Sequence, residues 1–153
     1  MANFAFTDEQ EELRRTIRRF MDERSPSAEV RRLMATDEGF DDVVRQLGEY
    51  FAGERTVFDL PLRPVGSGFE LAVWDQLTRI PYGEIRSYGH VAQAVGEPGG
   101  AQAVGAANGR NPLAIVVPCH RVIGADGSLV GFGGGLPRKQ YLLDLEQREN
   151  RLF

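Results

Sequence analysis

The sequence predicts an α+β fold that is mostly helical, with a few short strands in its C-terminal half. Three observations carry this. Apolar residues recur at three- and four-residue spacing in several separate stretches, the period of a helix face. Two of those stretches, Ser87 to Val95 and Ala101 to Gly109, flank the turn Glu97-Pro-Gly-Gly100, the pattern of a helix-turn-helix. The longest apolar run, Leu113 to Pro118, is six residues, which suits a buried strand and is far short of a membrane span.

In chain order, Thr7 and Gln10 form a candidate capping box. Leu13, Ile17, Phe20 and Met21 then make one face of a helix of about four turns. Arg24-Ser-Pro-Ser27 breaks it, and Val30, Leu33 and Met34 predict a second, short helix. A break at Thr36-Asp-Glu-Gly39 precedes a third stripe, Val43, Val44, Leu47, Tyr50 and Phe51, which Gly53 stops. Thr56 to Leu60 reads as a short strand, and Pro61 to Gly68 as a linker. A helix from about Phe69 to Arg79 carries Val73, Trp74 and Leu77 on one face and ends at Pro81-Tyr-Gly83. Ser87 caps the next helix and Gly96 stops it. After the small-residue helix Ala101 to Gly109, Asn111-Pro112 turns the chain into a strand over Ile115 to Val117. Ala125-Asp-Gly-Ser128 is a hairpin-type turn and Gly131 to Gly135 a flexible loop. Pro137 suits the first turn of a last helix with Tyr141, Leu142 and Leu145 apolar.

A chain of 153 residues, 42% hydrophobic and 26% charged, holds one average domain or two small ones with a real core, and wholesale disorder is not expected. The polar, acidic start Met1 to Glu12 does not read as a secretory signal. One cysteine excludes an intramolecular disulfide and a multi-thiolate zinc site, and two histidines leave little for any metal site. A lone thiol suits a reducing compartment, so a cytoplasmic location is expected. The net charge of −4 argues against nucleic acid, but its distribution does not. Residues 1–59 carry a net −5 and residues 60–153 a net +1, with five basic and two acidic residues between Arg86 and Lys139.

Cys119 is the only soft nucleophile. By residue type alone it is more often a small buried hydrophobe. Its setting favours chemistry: Pro118 bends the chain before it, and the adjacent His120 can take a thiol proton directly or through water. An acid that polarises the imidazole would complete a relay, with Glu146 a candidate that spacing alone does not identify. The helix Ala101 to Gly109 is nearly all small residues. That is unsuited to reading the major groove, and suits either close approach to a minor groove or packing on a neighbouring helix.

Several blocks at their spacing resemble the methylated-DNA–protein-cysteine methyltransferases, the O6-alkylguanine-DNA alkyltransferases. They are Ile80-Pro-Tyr-Gly-Glu-Ile-Arg-Ser-Tyr88, Ala103-Val-Gly-Ala-Ala-Asn-Gly-Arg-Asn-Pro112, Ile115-Val-Val-Pro-Cys-His-Arg-Val122 and Gly131-Phe-Gly-Gly-Gly-Leu136, within about residues 44–146. The resemblance implies DNA repair by flipping an O6-alkylguanine from the minor groove of double-stranded DNA into a pocket, with O4-alkylthymine a further candidate substrate. Cys119 would take the alkyl group once, in a self-inactivating transfer, with no cofactor and no metal. His120 would accept the thiol proton through water, Glu146 would orient His120, and Asn111 would brace the helix-turn-helix against the active-site turn. Tyr88 would crowd the target phosphate and help extrude and protonate the base. The resemblance places Gln102, Ala103, Gly105, Arg110, Arg121, Val122, Phe132 and Gly133 in the DNA- and base-binding set, the Val122 carbonyl and the Gly133 N–H reading the guanine edge. It implies a monomer with no membrane association.

The sequence departs from that family in three places. Gln102 stands where many members have an arginine that fills the stack left by the flipped base, and Phe132 replaces a tyrosine seen in some. Upstream, only residues 44–60 resemble the closing part of the family's N-terminal domain, while residues 3–43 resemble the start of acyl-CoA dehydrogenases. The sequence therefore reads as three parts: a helical segment 1–43 of different origin, the remnant 44–60, and an alkyltransferase domain 61–153, joined near Phe40 to Val44. The alternatives are an alkyltransferase-like lesion binder without transfer, a cysteine hydrolase using Cys119 and His120, and an inactive product of the junction. Lesion binders of that kind lack the reactive cysteine, and a hydrolase would leave the helix-turn-helix unexplained.

Overall fold

The computed structural model describes residue 15 and residues 37–150. The expected helices over Leu13 to Met21 and Val30 to Met34 lie outside these, apart from Arg15, which is helical. The chain divides into two units, residues 1–63 and residues 64–153.

In the first unit, α1 spans Asp37–Phe51. Val43, Val44, Leu47 and Tyr50 are buried, as their helical spacing requires, and Gly53 leaves the helix at φ 77°. Two expectations fail here. Asp37 to Gly39, expected in a break, are helical, and one continuous helix runs through the expected junction at Phe40 to Val44. Thr56 to Leu60 forms no strand. The reason is a side chain: buried Gln46 donates from Nε2 to the Asp59 carbonyl and accepts the Asp59 N–H at Oε1, both at 2.8 Å. The backbone groups that a ladder would need are taken by that amide.

The second unit is built on three helices. α2 is Gly68–Thr78, and Ser67 with Glu70 forms a reciprocal capping box at its start. Its Val73, Trp74 and Leu77 are buried. α3 is Tyr88–Ala94, capped by Ser87, whose hydroxyl accepts the His90 N–H at 3.1 Å. α4 is Ala101–Gly109. These three pack on one another, α3 and α4 forming the expected helix-turn-helix. Trp74 Nε1 donates to the Ala107 carbonyl at 2.9 Å, fixing α2 to α4 with its one polar atom satisfied. One side of α4 packs inward and the other is open. Val104, Ala107 and Asn108 are buried, whereas Gln102, Ala103, Ala106 and Arg110 lie on the exposed side.

The sheet is smaller than expected. β1, Arg86–Ser87, pairs in parallel with β2, Val122–Ile123, in the register Arg86 to Val122 and Ser87 to Ile123. Ile115 to Val117 is a turn rather than a strand, and Ile115 stands at φ 76°. The turn at Ala125 to Ser128 is closed by Gly124 N–H to the Ser128 carbonyl at 2.8 Å, but it joins no antiparallel strands. α5, Leu136–Asn150, carries Pro137 in its first turn. Leu142 and Leu143 face the core; Tyr141, expected there, is 52% exposed. No helix of the described residues is long and apolar enough to cross a membrane.

Candidate active site

Cys119, the expected nucleophile, sits on a short 3-10 turn, Cys119–Arg121, and all three of its residues are buried. Asparagines at the end of the helix-turn-helix shape the approach to it. Asn111 accepts the Leu113 N–H at 3.0 Å and donates to the Val117 carbonyl at 2.8 Å, which closes a loop that the backbone alone would not hold. Within that loop, Ile115 takes a left-handed conformation that is costly for a β-branched residue and is tolerated where the surroundings over-determine it. Asn108, buried on α4, donates to the Cys119 carbonyl at 3.3 Å.

Burial pushes the Cys119 thiol up from its ordinary range. Opposing it are a hydrogen bond from Asn111, the positive charge of Lys139, and the backbone N–H groups of Cys119 and Ile115. The thiol is therefore protonated at neutral pH, in a setting built to hold its thiolate once a base takes the proton. The neighbouring His120 is fully buried, and its Nε2 meets Glu146 Oε1 at 2.7 Å. Its Nδ1 is buried without a hydrogen-bond partner among the described residues. Burial lowers the imidazole's tendency to charge, against the pull of the Glu146 carboxylate. Burial would also raise Glu146, but hydrogen bonds from His120 and Arg121 outweigh it and hold the carboxyl at about 2.

Arg121, expected among the DNA- and base-binding residues, points inward: Nε and one terminal nitrogen donate to the two oxygens of Glu146 at 2.9 Å each, and the other donates to the Ile80 carbonyl at 2.6 Å. These bonds engage three of the five guanidinium N–H groups.

Lys139 and Asn108 are the residues that sequence reasoning missed. Lys139 is fully buried, and its Nζ donates to the carbonyls of Val122 at 2.5 Å and Val130 at 2.9 Å, with the Tyr88 hydroxyl at 3.5 Å. The one available signal was compositional: it is the only lysine beside 17 arginines. The Tyr88 hydroxyl donates to the Val130 carbonyl at 2.7 Å, so tyrosine and lysine together strap the loop before Gly131. Half-burial raises Tyr88, as does the neighbouring Cys119 charge, against a hydrogen bond with Asn108.

Gln102 and Ala103 are exposed on α4, and a Cβ at Gly105 would stand 3.9 Å from the Tyr88 ring. Arg110 is exposed and paired with Glu70. The Val122 carbonyl accepts from Lys139 and keeps a second lone pair. Phe132 is half-buried and Gly133 exposed on the glycine loop.

Comparison with known proteins agrees with this geometry. Residues 68–148 match the model of the 6-O-methylguanine DNA methyltransferase DNA binding domain. Residues 6–64 match that of the 6-O-methylguanine DNA methyltransferase ribonuclease-like domain. The latter match runs through residues 6–43, and no acyl-CoA dehydrogenase relationship is shown there. A methylated-DNA–protein-cysteine methyltransferase of Mycolicibacterium paratuberculosis is 62% identical over 111 residues, covering 72% of this chain and 67% of the relative. The chain thus spans about two thirds of the length of the curated relatives it matches. The structure of Mycobacterium tuberculosis OGT in complex with DNA superposes with a TM-score of 0.70 at 58% identity, over 71% of this chain and 68% of that one. An O6-methylguanine-DNA methyltransferase from Pyrococcus kodakaraensis superposes at 0.54 with 28% identity, over 93% of this chain and 82% of that one. The α+β fold, the buried Cys119–His120–Glu146 centre and these matches have one reading: the chain belongs to the 6-O-methylguanine DNA methyltransferase family.

Proposed function

We propose that this chain repairs DNA by moving the alkyl group of O6-alkylguanine, with O4-alkylthymine as a further substrate, onto Cys119. The observation that supports this most is the chain's only thiol lying next to a buried His120–Glu146 pair in a member of this family. A protonated, buried thiol needs a base. With Nε2 on Glu146, the ring's acceptor is Nδ1, which takes the thiol proton through a water in this reading. The sulfur attacks the alkyl carbon in line; the S–C bond forms and the C–O6 bond breaks, its electron pair leaving with the base. Tyr88 supplies the proton that the restored base gains, and the thiol's proton balances it. The carboxylate of Glu146 holds the imidazolium that forms. A thioether is not readily hydrolysed, so each molecule acts once.

Double-stranded DNA is the partner, approached in the minor groove through the exposed side of α4, where small residues admit a phosphate backbone. The alkylated base is flipped towards Cys119, its edge read by the Val122 carbonyl and the Gly133 N–H. The chain acts as a monomer in the cytoplasm. Residues 61–153 carry the chemistry, residues 44–60 are the remnant of the family's N-terminal domain, and residues 1–43 take no part in it. A separate origin for residues 1–43 is supported only by their likeness to acyl-CoA dehydrogenases, and against it stands the ribonuclease-like match from residue 6. Titration with O6-methylguanine DNA tests the transfer. Repair should stop at one base per molecule, and Cys119→Ala should bind DNA and repair none. Continued turnover would make the chain a different kind of cysteine enzyme.

A further inference from the structure

Arg121 follows His120 in sequence, and its side chain is only 7% exposed. Two of its nitrogens form a fork with the Glu146 carboxylate, and a third holds the Ile80 carbonyl. The guanidinium carbon stands 5.8 Å from the centre of the Tyr82 ring. The Glu146 oxygen that His120 meets, Oε1, is one of the two held by the fork, and the other, Oε2, also accepts the Gly83 N–H at 3.2 Å. The terminal torsion of a glutamate is soft and twofold, so an imidazole and one longer backbone N–H bond hold the carboxylate plane less firmly. A two-bond fork from a planar guanidinium gives it one.

We propose that Arg121 is a positioning residue for alkyl transfer: its guanidinium fixes the Glu146 carboxylate in the plane that receives the Nε2–H of His120, which leaves Nδ1 as the acceptor for the thiol proton. This rests on the alkyl-transfer reading. The charge of Arg121 acts in the same direction as its geometry. The charged and titratable groups around His120 are Glu146 and Lys139 from α5, and Cys119 and Arg121 from its own turn. Glu146 favours the charged ring; Arg121 and Lys139 oppose it. Removing Arg121 takes away one opponent and the fork together. His120 then holds a proton at higher pH and is a poorer acceptor when the thiol must lose its own.

The test uses the full chain with Arg121→Met and Arg121→Lys, folding being checked by near-ultraviolet circular dichroism. Two readouts are needed: the rate of methyl transfer from O6-methylguanine DNA against pH, and the ring 15N shifts of histidine against pH. The chain has two histidines, exposed His90 and buried His120, so the spectra separate them. Arg121→Met should slow transfer about tenfold or more at neutral pH, as misplacement of a catalytic group does. It should also move the acid limb of the rate, and the His120 titration, upward by about one pH unit. Arg121→Lys keeps the charge and loses the fork, so it should leave the acid limb in place and remain slower than the parent. Folded Arg121→Met with the parent's rate profile and histidine shifts overturns the proposal. If that variant does not fold, Arg121→Lys decides: a slowed rate with an unmoved acid limb supports it, and the parent's rate overturns it. If the parent chain takes up no methyl group, the transfer reading fails, and the histidine shifts alone decide the claim for Arg121.

Discussion

Residue type suggests an exposed place for Lys139 and Arg121 alike. Instead, both cations are buried against the site, one on the carbonyls of Val122 and Val130, the other on Glu146. The fate of a buried cation depends on partners far away in sequence, so no local pattern marks it. Cys119, His120 and Glu146 were legible because their chemistry is local or carried by a resemblance. Lys139→Met removes a cation that stabilises the thiolate and takes the lysine donor from the Val122 carbonyl, while the Val130 carbonyl keeps the Tyr88 hydroxyl. Reactivity of Cys119 towards iodoacetamide should move to higher pH, and stability should fall by about 1–3 kcal/mol for the lost bond to a buried carbonyl. A thiol-trapping profile and a denaturant titration check the two parts separately. Glu146 and His120 also contribute to the acid sensitivity of the fold. The carboxyl of Glu146 lies at about 2, below its ordinary 4.5, so its contribution is present above that ordinary value and is lost as pH falls towards 2. His120, pushed down by burial, adds a penalty as acid drives it to charge. Chemical denaturation at pH 6.5 and pH 4 should show stability falling between them, and Glu146→Gln should flatten the part of the fall nearest pH 4.

The helices were readable because period and punctuation agree. Trp74 and its neighbours repeat at helical spacing, Ser87 caps α3, and Gly96 leaves it at φ 80°. The strands were not, and the cause is specific. Gln46 and Asn111 use side-chain amides to hold the backbone of Asp59 and of the Leu113 to Val117 loop. An apolar run there says only that the segment is buried, since periodicity cannot tell a short strand from an apolar turn. The pairs that do form between β1 and β2 are two residues long, below what any alternating pattern can signal. On α4, the exposed Gln102 is the position at which DNA affinity can be raised most simply. Gln102→Arg adds a cation able to contact a phosphate or stack on a base. Binding to a duplex with an abasic site should tighten severalfold at low salt, and the slope of log affinity against log salt should steepen by about one. An unchanged slope would place Gln102 away from the DNA.

As a whole molecule, the chain keeps its negative charge upstream, a net −5 over residues 1–59, and a net +1 over residues 60–153. Such a balance does not draw in DNA through a strong general field, and specific fit must supply what electrostatics does not. The same economy marks the chemistry. One thiol, one imidazole, one carboxylate and two buried cations occupy a single turn and the helix behind it. Everything in this arrangement serves one claim, that Cys119 is the final resting place of the alkyl group. Intact-protein mass after incubation with O6-methylguanine DNA, followed by peptide mapping, tests it most directly. The account predicts a gain of one methyl group per molecule, carried by Cys119, and no gain in Cys119→Ala. A protein that keeps its mass while the DNA loses its methyl groups, or that carries the methyl on another residue, would contradict it.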